Sequence, residues 1–226
     1  LDEQGERSFT FYRNPSADML FRADEFEDDW FCNKGLFHVC SNTLTEAAIQ
    51  KATLAGIKKA KQSDYLISFD INLRTNLWPQ NANPLPAIWQ VIGLTDVLKL
   101  SQEEMTFLCQ TQSQDEVLSR AFDRGVSLIL LTDGDKPLRY FTANRSASIE
   151  PPQVTMVDST AAGDAFIGGF LYQMAAQNVS HARLPEFLND TPSLERSLRF
   201  ATRCGAFAVS HKGAFTSLPA LADVAA

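Results

Sequence analysis

The stretch Asp158-Ser159-Thr160-Ala161-Ala162-Gly163-Asp164-Ala165-Phe166-Ile167-Gly168-Gly169-Phe170 decides how the rest of the chain is read. It follows Val154-Thr155-Met156-Val157, a run that predicts a strand. It leads into a proline-free apolar segment as far as Gln177, which predicts a helix. Small residues therefore stand at a strand-to-helix turn. Unpaired N–H groups at a helix start bind anions, helped by the positive end of the macrodipole. Ala161, Ala162 and Gly163 let an anion approach the backbone closely, and the carboxylate of Asp164 follows at once. A base beside a cradle for phosphate is the layout that phosphoryl transfer needs. The plainer reading is that Asp164 only satisfies the N–H groups of a helix start. Gly168 and Gly169 each cost a helix roughly 1 kcal/mol, so the pair predicts close packing.

Outward from this turn, strands alternate with helices. Alternating aromatics predict a half-buried strand over residues 7–13, and a short strand is expected over 19–21, ahead of an acidic loop over 24–29. Strands follow at Phe37–Cys40, Tyr65–Phe69, Val97–Leu100, Ser127–Thr132 and Leu138–Thr142. Between them the spacing predicts helices over 43–61, 84–93, 102–109 and 115–124, with Thr43 and Ser101 as N-caps. A polar stretch spans 178–192 and a last helix 194–209. The run Ser127–Thr132 is apolar without alternation, as in a parallel strand covered on both faces. The order predicts an α/β fold with a mostly parallel central sheet flanked by helices.

Composition narrows the function. The 226 residues are 45% hydrophobic, enough for one sizeable core. A net charge of −7 argues against nucleic acid as a partner. No apolar run is long enough to span a membrane, and the polar start Leu1-Asp2-Glu3-Gln4-Gly5-Glu6-Arg7 is not a signal peptide, so no membrane partner and a cytoplasmic location are expected. Cys32, Cys40, Cys109 and Cys204 lack paired metal-site spacing, which predicts free thiols in a reducing compartment. No G-x-G-x-x-G follows a strand and no Walker A sequence is present.

Asp70, Asn72 and Arg74 stand at alternate positions just past a strand, where open α/β sheets bind ligands; an extended backbone would put all three on one face. A polar loop with one structural salt bridge is the alternative. Taken with the anion turn, these residues carry a resemblance. Asp158–Phe166 is similar to the C-terminal signature of the PfkB (ribokinase-like) family of sugar kinases, D-T-x-G-A-G-D-x-F, with Ala161 in place of its first glycine. That departure is expected to be mild, because backbone N–H groups do the work.

The resemblance implies a ribokinase-like fold, with residues 1–30 a partial β lid and connecting loop and 31–226 the nucleotide-binding and catalytic domain. It implies that Ala161, Ala162 and Gly163 form an anion hole, that Asp164 is the catalytic base, and that Arg74 approaches the transferred phosphate. Lys99-Leu100-Ser101-Gln102-Glu103-Glu104 resembles the family's N-x-x-E element, with Ser101 in place of Asn. This implies a nucleotide contact for Lys99 and a water-mediated Mg2+ role for Glu104; a helix N-terminal charge is the alternative for Glu104. Thr132 and Gly134 match the T-x-G turn along the nucleotide, although Pro137 stands where the family has glycine. Gly213 and Ala214 fall in the adenine-side segment, and Asp158, Thr160, Ala208, Gly213 and Ser217 in a monovalent-cation site, for K+.

Tyr12 and Arg13 match lid residues that reach the sugar. Gly5–Arg13 and Ser68–Arg74 look most like bacterial fructokinases. The resemblance therefore implies ATP-dependent phosphorylation of a sugar's primary hydroxyl, with Mg2+ and fructose foremost. Alternatives are 2-keto-3-deoxygluconate, a riboside, or a non-catalytic nucleotide-binding relative. Related proteins often pair through the lid, so a homodimer is among the expectations. Family members carry a further N-terminal segment with most of the sugar ligands, so the chain is expected to be a fragment of a longer protein.

Overall fold

Four strands, β1 (Leu36–Cys40), β2 (Leu66–Asp70), β3 (Val97–Ser101) and β4 (Leu128–Thr132), lie parallel in chain order in a computed structural model that describes residues 11–13 and 15–224. β5 (Leu138–Thr142) and β6 (Arg145–Ile149) extend the sheet antiparallel. A single-turn helix α1 (Ala17–Leu20) precedes it. The crossovers run through α2 (Ala47–Gln62), α3 (Leu85–Ile92), and the pair α4 (Gln102–Cys109) and α5 (Gln114–Asp123). After the sheet come α6 (Ala162–Ala176), α7 (Leu184–Asn189), α8 (Thr191–Val209) and a short α9 (Leu221–Val224).

Side chains alternate across a strand, so each one feeds two cores. On one face Ile67, Phe69, Leu98, Leu100, Ile129 and Leu131 pack with Ile57 of α2, Ile88 of α3, Met105 of α4 and Val117 of α5. On the other, Leu66, Val97, Leu128 and Leu130 pack with Phe166 and Phe170 of α6 and Leu194 and Leu198 of α8. Each fully buried Leu, Ile or Phe stabilises the fold by about 1.5–3 kcal/mol. This second face changes character along the strands. β2 runs Leu66, Ser68, Asp70 and β3 runs Val97, Lys99, Ser101 on the same side. The register sets Asp70 beside Lys99, and Cys40 beside Asp70. The face is apolar where α6 and α8 cover it and polar at the strands' C-terminal ends, where α6 begins.

The expected parallel sheet and its helices are present, and the departures are local. Val154–Val157 is not a strand: Val154, Met156 and Val157 are exposed, and the Val157 N–H donates to the Val209 carbonyl at 2.8 Å. β6 has weak apolar alternation, Arg-Ser-Ala-Ser-Ile, which hid it from sequence reading. Helix α2 starts at Ala47, not near Thr43, because Ser41–Leu44 forms a 3-10 turn in which the Thr43 hydroxyl donates to the Cys40 carbonyl at 3.1 Å. Residues 19–21 include the end of α1 rather than a strand. The polar stretch 178–192 contains α7, which buries Leu184 and Phe187. The acidic loop holds two 3-10 turns, Ala23–Glu25 and Asp28–Phe31, above an aromatic cluster of Phe26, Phe31, Phe37 and Tyr65. Of the strand expected over 7–13, residues 7–10 lie outside the described residues and 11–13 have no regular structure. Among the described residues no helix is long and apolar enough to cross a membrane.

Candidate active site

The polar ends of β2 and β3, the loop after β2, and the start of α4 and α6 enclose a cavity of about 390 Å³. Its walls include Asp70, Asn72, Arg74, Lys99, Glu104, Ala161, Gly163 and Asp164. The sequence motifs from three separate segments therefore converge.

Helix α6 starts here because Ala161, its N-cap, is left-handed at φ 61° and turns the chain sharply. That conformation costs an L-residue roughly 1–2 kcal/mol and glycine far less. Alanine at this position is thus a strained departure from the glycine of the signature, not a mild one. The Ala162 N–H leans on the Ser159 carbonyl at 3.4 Å, and the Ala165 N–H closes the first helical bond to the Ala161 carbonyl at 2.8 Å. Gly163 lies against Lys99: a Cβ there would stand 2.9 Å from the Lys99 Nζ. Asp164, the third residue of α6, is exposed, and its Oδ1 accepts from Asn72 Nδ2 at 3.4 Å.

Lys99 and Asp70 form a buried ion pair, Nζ to Oδ2 2.9 Å and to Oδ1 3.1 Å, with side chains 7% and 2% exposed. Burial pushes the Asp70 carboxyl up to about 6, against the pull of Lys99, with Glu104 and Asp164 adding repulsion. Asp70 Oδ1 also accepts the Asn72 N–H at 3.2 Å, an Asx-type turn that Asn72 completes at φ 40°. Asn72 and Arg74 reach the cavity through this turn rather than through an extended backbone. Arg74 lines the cavity and donates to the Leu73 carbonyl at 3.3 Å.

Glu104 performs the plain role weighed for it. Its Oε2 accepts the Ser101 N–H at 2.7 Å, and the Ser101 hydroxyl accepts the Glu104 N–H at 3.2 Å, a capping box for α4. Its Oε1 accepts the Leu73 N–H at 2.8 Å, which ties the loop after β2 to α4.

The remaining candidates lie outside the walls of that cavity. Asp158 bridges two segments, accepting the Thr160 N–H at 2.9 Å and the Gly213 N–H at 2.9 Å. The Thr160 side chain, with the Gly213 and Thr160 N–H groups, holds its carboxyl down to about 2. The Ala208 carbonyl accepts the His211 N–H at 3.1 Å, and the buried Ser217 hydroxyl donates to the Ala214 carbonyl at 2.8 Å. Thr132 ends β4, its hydroxyl donating to the Leu100 carbonyl at 3.4 Å, and Gly134 turns the chain at φ 58°. Tyr12 is 92% exposed. Arg13 is anchored on Asp18 at 2.5 Å, the Thr45 hydroxyl at 3.3 Å and the Asn42 carbonyl at 3.2 Å.

Sequence reading missed the pairing of Asp70 with Lys99 and the tie from Glu104 to Leu73. The alternation Leu66, Ser68, Asp70 against Val97, Lys99, Ser101 was the available signal for the first. Nothing local signals the second.

The chain matches proteins of known kind. The sequence profile described as pfkB family carbohydrate kinase matches residues 1–221. Probable fructokinase-5 of Arabidopsis thaliana is 37% identical over 225 residues, covering 99% of this chain and 67% of that protein. Fructokinase from Xylella fastidiosa, solved with bound ATP, superposes with a TM-score of 0.94 at 41% identity, covering 98% of this chain and 69% of that one. Fructokinase from Vibrio cholerae O395, solved with fructose, ADP and calcium ion, gives 0.86 at 34% identity, covering 100% and 70%. The chain spans 56% to 67% of the length of three curated relatives it matches.

Proposed function

This chain belongs to the pfkB family of carbohydrate kinases, and from that premise we propose that the protein transfers the γ-phosphoryl group of ATP to a primary hydroxyl of a sugar, fructose foremost. The observation that carries the reading is the position of Asp164. It is an exposed carboxylate on the first turn of α6, on the wall of a cavity that also presents Lys99, Arg74 and the small-residue turn. The similarity to fructokinases, one solved with ATP and another with fructose and ADP, supports the choice of sugar.

In this reading Asp164 accepts the proton of the sugar hydroxyl. The oxygen forms its bond to the γ-phosphorus, the bond from that phosphorus to the bridging oxygen breaks, and the electron pair leaves on ADP. The N–H groups at the start of α6, with Lys99 and Arg74, meet the charge that develops. Thr132, Gly134, Gly213 and Ala214 are read as the nucleotide side, and Tyr12 and Arg13 as the sugar side.

The donor set fits Mg2+ held chiefly by nucleotide phosphates and water. Among the described residues no cluster of three or more metal-ligating side chains exists, and both Glu104 oxygens already accept N–H bonds. Glu104 would meet such an ion through water, as Mg2+ favours. When bound, the ion offsets charge on the phosphates. Asp158, held ionised by its bonds to Thr160 and Gly213, is the proposed anchor of a monovalent cation, K+.

The test is ADP release from MgATP by the full-length protein across fructose, ribose, 2-keto-3-deoxygluconate and nucleosides. Strong turnover on fructose supports the reading. Asp164→Asn is expected to keep nucleotide binding and lose about 10³-fold in kcat, within the range for a general base. Retained turnover in that variant removes Asp164 from the mechanism.

A further inference from the structure

Asp70 is a carboxylate at the site for which the transfer chemistry above has no task. It is also buried, which is costly for a charge unless it is paired. Its partner explains the expense. Lys99 stands with its Nζ between the Asp70 carboxylate and the open face of Gly163 at the start of α6. A cation at a helix N-terminus opposes the positive end of the macrodipole. Without a counter-charge the ammonium would be driven from that position, and with no side chain on Gly163 nothing else fills it. The Asp70 carboxylate is itself fixed by the Asn72 N–H at 3.2 Å and by its place on β2, directly beside Lys99 on β3.

We infer that Asp70 is a positioning residue: it holds the Lys99 ammonium at the N-terminus of α6, where the transferring phosphoryl group gathers charge. The inference rests on the phosphoryl-transfer reading of this site. In the resting pocket the pair is neutral overall, so the cavity does not hold phosphate tightly. An arriving phosphoryl group then competes with Asp70 for an ammonium that is already in place.

Two consequences run in opposite directions. Asp70→Asn removes the counter-charge, so the resting pocket binds inorganic phosphate more tightly. The same change lets the ammonium wander, and a misplacement near 1 Å is enough to cost about 10²-fold in rate. A residue with a merely structural role would not strengthen anion binding while slowing turnover. A residue acting on a bound metal ion would add its loss to that of Lys99.

The experiment uses the full-length protein as Asp70→Asn, Lys99→Met and the double variant. Phosphate affinity is measured by calorimetry on the resting protein, and kcat and KM by ADP release. Asp70→Asn is expected to tighten phosphate binding about tenfold, for a full charge gained in a partly buried site. Its kcat falls about 10²-fold with KM for the sugar within about threefold. The double variant matches Lys99→Met in kcat, because Asp70 acts on turnover only through Lys99. Losses that multiply in the double variant, or phosphate binding unchanged or weaker in Asp70→Asn, overturn the inference. If Asp70→Asn does not fold, the kcat of the double variant against that of Lys99→Met still decides: the double variant keeps neither charge, and the carboxyl left alone in Lys99→Met can neutralise by taking up a proton. If the parent turns over no sugar, the kinase reading falls, while the phosphate affinities still decide the role of Asp70.

Discussion

Two neighbouring glycines on α6 separate a clash from a propensity effect. Gly168 is exposed, and a Cβ there would meet nothing within 4 Å. Gly169 is buried against α8: a Cβ would stand 2.7 Å from the Cys204 Sγ, 3.1 Å from the Cys204 Cβ and 3.4 Å from the Ala201 Cα. Both Gly→Ala changes gain the same helix propensity, about 1 kcal/mol. Only the second must push a neighbour by about 0.7 Å to restore ordinary contact, and overpacking of that kind costs about 1–3 kcal/mol. Gly168→Ala should therefore stabilise by about 1 kcal/mol, and Gly169→Ala should lie about 1–3 kcal/mol below it. Urea unfolding followed by circular dichroism reads the difference directly. Cys204→Ala in the Gly169→Ala background should recover most of the gap, as coupling between touching residues requires. A gap below about 0.5 kcal/mol, within the scatter of independent sites, would refute the claim that α6 is seated on α8 through Gly169.

Three further outcomes follow from the site. Ala161→Gly should stabilise by about 0.5–1 kcal/mol, since relief of the left-handed strain exceeds the entropy glycine adds to the unfolded chain; a Tm that falls would contradict the strain at φ 61°. Glu104→Gln keeps one acceptor and loses one charge-assisted bond, so a loss of about 1–2 kcal/mol is expected, and faster amide exchange at Leu73 would locate it. The Asp70 carboxyl, raised from 3.8 to about 6 by burial, is faced by Lys99, Glu104 and Asp164. The native form therefore holds more protons than the unfolded one between those values, and its favourable contribution to stability is lost as pH rises from about 4 through about 6. Ionised Asp70 is the form that pairs with Lys99, so kcat should fall as pH drops through about 6, and Asp70→Asn should remove that acid limb from a pH–rate profile.

How much of this was legible in the sequence depends on the range of the forces involved. The turn at Ala161–Asp164 is set by local backbone chemistry, and its reading as a helix start with an exposed carboxylate holds in the structure. Ser101 and Glu104 form a capping box three residues apart, equally local, and α4 begins where the sequence placed it. Strand β4 announced itself through an unbroken apolar run, Leu128–Leu131. The errors fall where local preference competes with something distant. Val154–Val157 has strand-like residues, yet its backbone is tied to the end of α8 through Val209. Thr43 looked like a cap, but its hydroxyl turned back to Cys40. The Asp70–Lys99 pair needs the register of β2 on β3, which no single segment encodes.

Of the four carboxylates that line the cavity, Asp70, Glu104 and Asp164 differ most in how far each is already committed, and that difference supports the roles proposed for them. Asp70 has both oxygens on an ammonium and a share in the Asn72 N–H. Glu104 has each oxygen on a backbone N–H at 2.7 or 2.8 Å, bonds short enough to be charge-assisted. Asp164 meets the Asn72 amide at 3.4 Å, the weak end of the hydrogen-bond range, and is exposed. A base must offer a lone pair to an incoming proton, and Asp164 has the least to give up. The same accounting explains how a chain of net charge −7 can receive a polyanion. Charges beyond roughly 8–10 Å are screened in salt, so the local balance decides. There the negative charge of Asp70 is balanced by Lys99 and that of Glu104 is taken up by backbone donors. Lys99, Arg74 and the start of α6 then meet an incoming polyanion, against the remaining negative charge of Glu103 and Asp164.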